Sequence, residues 1–272
     1  MSLSGKTLFI TGASRGIGRE IALKAAGQGA NIVIAAKSAE AHAKLPGTIH
    51  SVAAEVEAAG GRALALQLDV REEEAVKAAM AQAAEHFGSI DALINNAGAI
   101  KLVGVEHLPP KRFDLMFQIN TRAVMVCSQA ALPYLKQSKG HILSLSPPLN
   151  LDPKWFANYG PYTTTKYGMS MLTLGMHEEF RKYGISVNSL WPKTVIATAA
   201  IEFEAGGPAV MKAARLPAIM ADAACAILSS SERTISGRLL IDEEILREQG
   251  QEDFEQYRYD PAGKLMTDLF VD

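Results

Sequence analysis

Short apolar runs alternate with longer amphipathic stretches along most of the chain. The runs at 7–10, 31–36, 63–68, 92–94, 141–146, 186–190 and 238–241 are rich in aliphatic residues and too short for helices. They predict strands with both faces covered. Between them, apolar residues recur three and four positions apart, as Ile21, Ala22, Ala25 and Ala26 do within 19–28. Comparable stretches at 52–59, 72–86, 111–118, 121–135 and 162–183 predict helices. Strand and helix in regular alternation predict an α/β fold: a doubly wound, seven-stranded parallel sheet with helices on both faces. No repeat or linker interrupts the pattern, so one domain is expected over 1–272. The pattern weakens in three places. Residues 38–50 are polar and contain the turn-like Leu45-Pro46-Gly47-Thr48, an expected insertion. Residues 199–217 read as a helical excursion broken at Gly206-Gly207-Pro208, and the tail from about 243 is acidic and aromatic with little periodicity.

The first strand runs into Thr11-Gly12-Ala13-Ser14-Arg15-Gly16-Ile17-Gly18, and the first helix follows at once. That order aims backbone N–H groups and the positive end of a helix at one point. It predicts an anion site whose usual guest is a dinucleotide pyrophosphate. Gly12 allows the tight turn, Gly16 lets phosphate approach the backbone, and Gly18 lets helix and strand pack closely. In an open parallel sheet, ligands bind beyond the carboxyl ends of the strands, and the other candidate motifs also follow strand ends.

Composition narrows the function classes. Of 272 residues, 48% are hydrophobic and 21% charged, and the net charge is -2, so no strongly basic face is expected and nucleic acid is an unexpected partner. No apolar run approaches the roughly 20 residues of a membrane span, and the N-terminus lacks an apolar signal region. Cys127 and Cys225 lie in alanine-rich helical stretches and predict reduced core thiols in a cytoplasmic protein. The histidines form no pair with metal-ligand spacing, so no metal site is expected.

Thr11 to Gly18, Asn95-Asn96-Ala97-Gly98 and Tyr162-Thr163-Thr164-Thr165-Lys166, in this order and at these separations, resemble the short-chain dehydrogenase/reductase family. The likeness covers roughly the first 245 residues. More narrowly, Ser146-Pro147-Pro148-Leu149-Asn150-Leu151, Trp191-Pro192-Lys193-Thr194 and the insertion after Lys37 are similar to the hydroxysteroid-dehydrogenase-like protein 2 group. Longer members of that group carry a C-terminal sterol-carrier-type domain, which this chain is expected to lack. The resemblance implies a Rossmann-type subunit, a nicotinamide cofactor, a small carbonyl or alcohol substrate, and a homodimer or homotetramer formed through the helices after Asn120 and Tyr162.

Its implications for chemistry fall on named residues. Tyr162 and Lys166 stand one helical turn apart and share a face. The phenol would act as general acid/base; the ammonium, together with an oxidised nicotinamide ring, should lower its pKa from about 10, and Lys166 would also hold the nicotinamide ribose. Asn120 would hold a water linking Lys166 to solvent, or cap the long helix. Asp69 and Val70 resemble the pair at the adenine, and Asn96, Ala97 and Gly98 resemble the backbone along its ribose. Pro192 to Thr198 resembles the segment that reads the carboxamide, with Lys193 where the family has glycine; Val195 is the expected backbone donor and acceptor there, and Thr194 and Thr198 stay open because the spacing is altered. The second strand ends in Ala35-Ala36-Lys37, without the carboxylate that binds a free ribose. Arg15 and Lys37 can converge on a 2′-phosphate, so NADP(H) is expected over NAD.

Some positions depart from the pattern. Aligning the fifth strand puts Pro147 where the family has a serine that donates to the substrate carbonyl, and proline cannot donate. Ser146 is the candidate substitute, although an extended strand would point it to the opposite face. Tyr159, seven residues before Lys166, has the spacing of reductases that act on carbon–carbon double bonds. Trp155, Phe156, Trp191 and Phe203 suggest an apolar substrate wall. Two classes of function stay open: an NADP(H)-dependent carbonyl reductase or alcohol dehydrogenase, and a non-enzymatic NADP(H)-binding sensor or scaffold.

Overall fold

In the computed structural model, which describes residues 2–41, 45–204, 206–230 and 235–272 (Glu204 by its backbone alone), the expected strands form one sheet. They are β1 (Thr7–Thr11), β2 (Asn31–Ala36), β3 (Arg62–Gln67), β4 (Ala92–Asn95), β5 (His141–Ser144), β6 (Ser186–Trp191) and β7 (Leu239–Ile241). Their order is β3-β2-β1-β4-β5-β6-β7, and every pairing is parallel. The chain runs outward from β1 to β3 and then crosses back to β4, so the order reverses beside β1. A cleft opens at such a reversal, beyond the strands' carboxyl ends.

The helices are α1 (Gly16–Ala26), α2 (Ile49–Ala58), α3 (Glu73–Phe87), α4 (Pro110–Phe117), α5 (Ala123–Ser138), α6 (Lys154–Ala157), α7 (Gly160–Phe180), α8 (Ala199–Glu204), α9 (Gly207–Lys212), α10 (Ala218–Leu228) and α11 (Asp242–Glu248). Alternate strand residues face opposite layers, which is why the runs are apolar throughout. Leu8, Ile10, Ile32 and Ile34 pack with α1, α2, α10 and α11. Phe9, Val33, Leu93 and Val187 pack with α3, α5 and α7. The doubly wound fold expected from the alternation is therefore the fold found. Among the described residues, no helix is long and apolar enough to cross a membrane.

Three local features differ from expectation. Helix α4 does not stop before α5; a π-turn, Gln118–Arg122, joins them and carries Asn120 in its middle, so Asn120 caps nothing. Strand β5 ends at Ser144, and the Ser146 N–H donates to the Ser144 carbonyl at 3.0 Å. That reversal takes the chain out of the ladder before Pro147-Pro148, which could not continue it. Of the insertion after β2 and the 199–217 excursion, residues 42–44 and 205 lie outside the described residues.

The tail is the third. After α11 it folds back across the carboxyl end of β6 through main-chain bonds: Val195 N–H to Met266 O and Asp268 N–H to Lys193 O, both 3.0 Å. Trp191 Nε1–H donates to Leu269 O at 2.9 Å. Phe270, only 1% exposed, sits among Trp155, Tyr162, Tyr167 and Trp191 with ring centroids 5.3 to 6.4 Å away. Its φ of 71° is uncommon for a bulky residue and costs on the order of 1–3 kcal/mol. Full burial of a phenylalanine side chain contributes about as much in the opposite direction.

Candidate active site

The phosphate end of the cleft is built from backbone. Gly12 has φ +68°, and a Cβ there would come within 2.8 Å of the Ala97 Cα. A Cβ on Gly18 would collide with Asn96 Nδ2, so helix and strand approach closely there, as expected. Asn96 ties the turn to β4: its Nδ2 donates to the carbonyls of Thr11 (2.8 Å) and Gly12 (3.1 Å). Thr11 Oγ1 accepts from the N–H groups of Asn96 and Ala97, each at 3.0 Å. No side chain caps the N-terminus of α1, so its first turn is open to an anion.

From this turn a cavity of about 670 Å³ runs along the carboxyl ends of the strands. It brings together Gly12, Ser14, Arg15, Gly16, Ile17, Lys37, Asp69, Val70, Asn96, Ala97 and Gly98 with Tyr162 and Lys166. Gly18 packs behind it. Volume, glycine cradle and uncapped helix all fit a dinucleotide.

At the end of β2, Arg15 and Lys37 face the same cavity, but each already has protein partners. Arg15 donates from Nη2 to Ser38 Oγ (3.0 Å) and Gly47 O (3.1 Å), and from Nε to Pro46 O (3.0 Å), holding the insertion against the turn. Lys37 Nζ lies 3.2 Å from Asp69 Oδ2. Arg71 grips Asp69 more closely, at 2.5 Å from Nη2, and holds its carboxyl well below the usual range, with Lys37 assisting. Asp69, the acid among the described lining residues of this cavity, is thus matched by two cations. Ser38, which the motif reading passed over, also lines the cavity.

At the reactive end, Tyr162 and Lys166 occupy one face of the first turns of α7. Lys166 Nζ donates to Leu145 O at 2.8 Å and stands 5.2 Å over the Trp191 ring. Burial pushes its ammonium down to about 8, and the negative charge of Asp268 acts against that shift. The Lys166 ammonium by itself does not lower the Tyr162 phenol. Burial, and then Asp268, push it above its ordinary value. The reason is geometric: the ammonium is bonded to a carbonyl, and the aromatic roof strips solvent from the hydroxyl. Asn120 Oδ1 accepts from Ala99 N–H (2.8 Å), while its Nδ2 donates to Ala99 O (3.0 Å) and Thr165 Oγ1 (2.9 Å). A Cβ on Gly98 would lie 3.6 Å from Asn120 Oδ1 and 4.0 Å from Lys166 Nζ, so both side chains converge there.

A second cavity, about 260 Å³, shares Tyr162 and Lys166 with the first. Its walls are mostly apolar, among them Ile100, Leu102, Trp191, Pro192 and Leu269. Several expectations change at this end. Ser146 is wholly buried and lines neither cavity; Leu145 beside it faces the cleft, so the serine points away from it. Val195 lines the cavity, but its N–H is taken by Met266 O, and its carbonyl by Arg215 N–H at 2.9 Å. Thr194 pairs with Thr267 of the tail and lines neither cavity. With Lys193 in place of glycine, this segment is closed by the tail.

Trp155 and Phe156 belong to the packing around Phe270 and Tyr167 and line neither cavity, whereas half-exposed Phe203 lines the larger one. Tyr159 also lines neither. Thr198 lines both, and Asp268 is the carboxylate of the smaller. Asp268 was passed over although Met266, Leu269, Phe270 and Val271 around it formed an apolar signal for burial. Among the described residues, no group of three or more His, Cys, Asp or Glu could hold a metal ion.

Residues 6–205 match the sequence profile of the short chain dehydrogenase family. Hydroxysteroid dehydrogenase-like protein 2 of Xenopus tropicalis is 56% identical over 271 residues, covering 99% of this chain and 64% of that protein. The chain thus spans just under two thirds of that relative's length. A crystal structure of a candidate dehydrogenase from Xanthomonas campestris superimposes with a TM-score of 0.96 at 54% identity, covering 100% of both chains. More distant neighbours hold either nicotinamide cofactor. A metagenomic short-chain oxidoreductase in complex with NADP has 27% identity and TM-score 0.73, over 89% of this chain and 98% of its own. Carveol dehydrogenase from Mycobacterium avium in complex with NAD has 25% and 0.74, over 88% and 96%. Fold, glycine turn, tyrosine–lysine pair and these likenesses converge: the chain belongs to the short-chain dehydrogenase/reductase family.

Proposed function

We propose that the chain interconverts an apolar ketone and its alcohol by hydride transfer, using NADP(H), with Tyr162 as general acid/base. The observation that carries this reading is the position of Tyr162 and Lys166 where the long nucleotide-sized cavity meets the small apolar one. NADPH, when bound, supplies the hydride. The chain's own residues do the rest. A phenol whose pKa is raised by burial is protonated at neutral pH, the correct state to give its proton to an alkoxide oxygen. Lys166, near 8, keeps most of its charge at pH 7 and would exchange Leu145 O for the cofactor's ribose. Asn120, in its π-turn, would hold the water that returns protons to Lys166. Thr198 would take over the carboxamide contact that Val195 and Thr194 are not free to make. Arg15, Lys37 and Ser38 at the end of β2 favour a 2′-phosphate and hence NADP(H).

The same reading includes a homo-oligomer in the cytoplasm; Met125 on α5 and Met171 and Leu174 on α7 are exposed apolar side chains on the helices expected to associate. The rival, a non-enzymatic NADP(H) binder, draws on Pro147 and on the inward-turned Ser146. The test compares Tyr162→Phe with Tyr159→Phe, following NADPH oxidation across a panel of apolar ketones. Tyr162→Phe should lower turnover roughly 10²–10⁴-fold, and Tyr159→Phe less than tenfold. The opposite ranking transfers the role to Tyr159. Tight NADPH binding with no turnover on any ketone favours the sensor.

A further inference from the structure

We propose that Asp268 is a catalytic residue of this site, its carboxyl O–H donating a hydrogen bond to the substrate oxygen that Tyr162 protonates. The inference rests on the carbonyl-reduction reading and assigns the donor that Pro147 cannot provide. In the cavity beside Tyr162 and Lys166, Asp268 is the carboxyl group among the described lining residues. Its placement is fixed by the backbone: its N–H donates to Lys193 O at 3.0 Å, and its Oδ1 accepts from Leu269 N–H at 2.6 Å. The next residues anchor that register, since Leu269 O accepts from Trp191 and the Phe270 ring stacks on Tyr162 at 6.4 Å and 28°. Among the described residues its side chain has no other protein hydrogen bond, and the residue lines the cavity.

The charged and titratable groups facing Asp268 decide its protonation. From α7 these are Lys166 and Tyr162, from just before it Tyr159, and from the start of α11 Asp242. Lys193 contributes its carbonyl, while its ammonium is bound to Glu243 at 3.0 Å. Burial, with the charge of Asp242, pushes the Asp268 carboxyl up to about 7, against the Leu269 N–H bond and Lys166. Below that pH the group is a neutral donor, which stabilises negative charge growing on a carbonyl oxygen; above it, an anion that repels such charge. In the proposed step Tyr162 gives the proton and Asp268 holds the oxygen; because the carboxyl is the stronger acid of the two, Asp268→Asn, which can donate a hydrogen bond but cannot protonate an alkoxide, is the variant that separates holding the oxygen from protonating it.

The experiment uses the full chain, NADPH and the activated diketone 9,10-phenanthrenequinone, with NADPH affinity by fluorescence and thermal melting measured in parallel to confirm folded, cofactor-binding protein. In the wild type, kcat should fall as pH rises through about 7. Asp268→Asn, which keeps an N–H donor and cannot ionise, should stay within tenfold of wild type at pH 6 and lose that limb. Asp268→Ala should lose roughly 10²–10³-fold in kcat at pH 6. As a readout independent of turnover, the infrared difference between wild type and Asp268→Asn at pH 6 should show a protonated carboxyl band that shifts when the diketone is added. Asp268→Ala within threefold of wild type at pH 6, or Asp268→Asn keeping the pH limb, overturns the assignment and leaves the role of Tyr162 standing. Turnover unaffected by Tyr162→Phe overturns both.

Discussion

At its phosphate end the cleft is made of main-chain groups from one contiguous turn, locked by Asn96, whereas at its reactive end it is made of side chains drawn from α7, β6 and the tail. The difference governs what each end tolerates. A backbone cradle depends on a few glycine positions and is indifferent to most side chains near it. A side-chain cavity is remade by every substitution in its wall. Here the tail enters that wall through Met266, Asp268 and Leu269, beside Tyr162, Lys166 and Trp191, while Pro147 and Lys193, which depart from the expected serine and glycine, line neither cavity.

Phe270→Ala attacks the reactive end alone. Truncating a fully buried phenylalanine costs about 3–5 kcal/mol through lost burial and the cavity left behind. The four rings around Phe270 would lose their common neighbour, and Asp268 its register. Chemical denaturation should show the stability loss, and NADPH affinity should change less than threefold. A loss under about 1 kcal/mol, or a tenfold weaker cofactor, means that the two ends are one mechanical unit and the contrast drawn here is wrong.

The same contrast explains what could be read in the sequence. The seven strands, their order of helices and the glycine turn were legible because each is written in consecutive residues: aliphatic runs for strands buried on both faces, and Gly12, Gly16 and Gly18 at fixed offsets. Tyr162 and Lys166 were legible because a single helical turn separates them. Asp268 was not, because nothing local ties it to Tyr162; the Trp191–Leu269 bond and the Phe270 stack do, and both are contacts between distant positions. The upward shift of the Tyr162 phenol is illegible for a related reason. Sequence places the ammonium near the phenol, but only the folded chain shows that the ammonium is bonded to Leu145 O. The bonds that occupy the Val195 main chain are likewise made by distant positions, the tail and Arg215.

Lys37→Ala probes the adenine side of the phosphate end, where side chains do matter. A hydrogen bond from a charged group contributes about 1.5–3 kcal/mol, but Lys37 is mostly exposed and its charge is screened, so about 1 kcal/mol is a fair expectation. That corresponds to NADPH binding five- to tenfold more weakly, with NADH binding unchanged. Titration with both cofactors measures it. Equal weakening of the two would make Lys37 a partner of Asp69 and nothing more.

Ser146→Ala should do least, and its small effect is informative. The hydroxyl is buried and has no protein partner among the described residues, so it is a polar group taken from water without compensation. Removing it relieves that penalty and takes away no hydrogen bond. Stability should rise by up to about 1 kcal/mol, and kcat with 9,10-phenanthrenequinone should stay within twofold of wild type. A serine that donated to the reacting oxygen would behave otherwise, losing roughly 10²–10³-fold on the same substitution. The measurement therefore separates a cleft whose donor has moved to the tail from one in which the chain beyond β5 swings Ser146 inward when substrate binds.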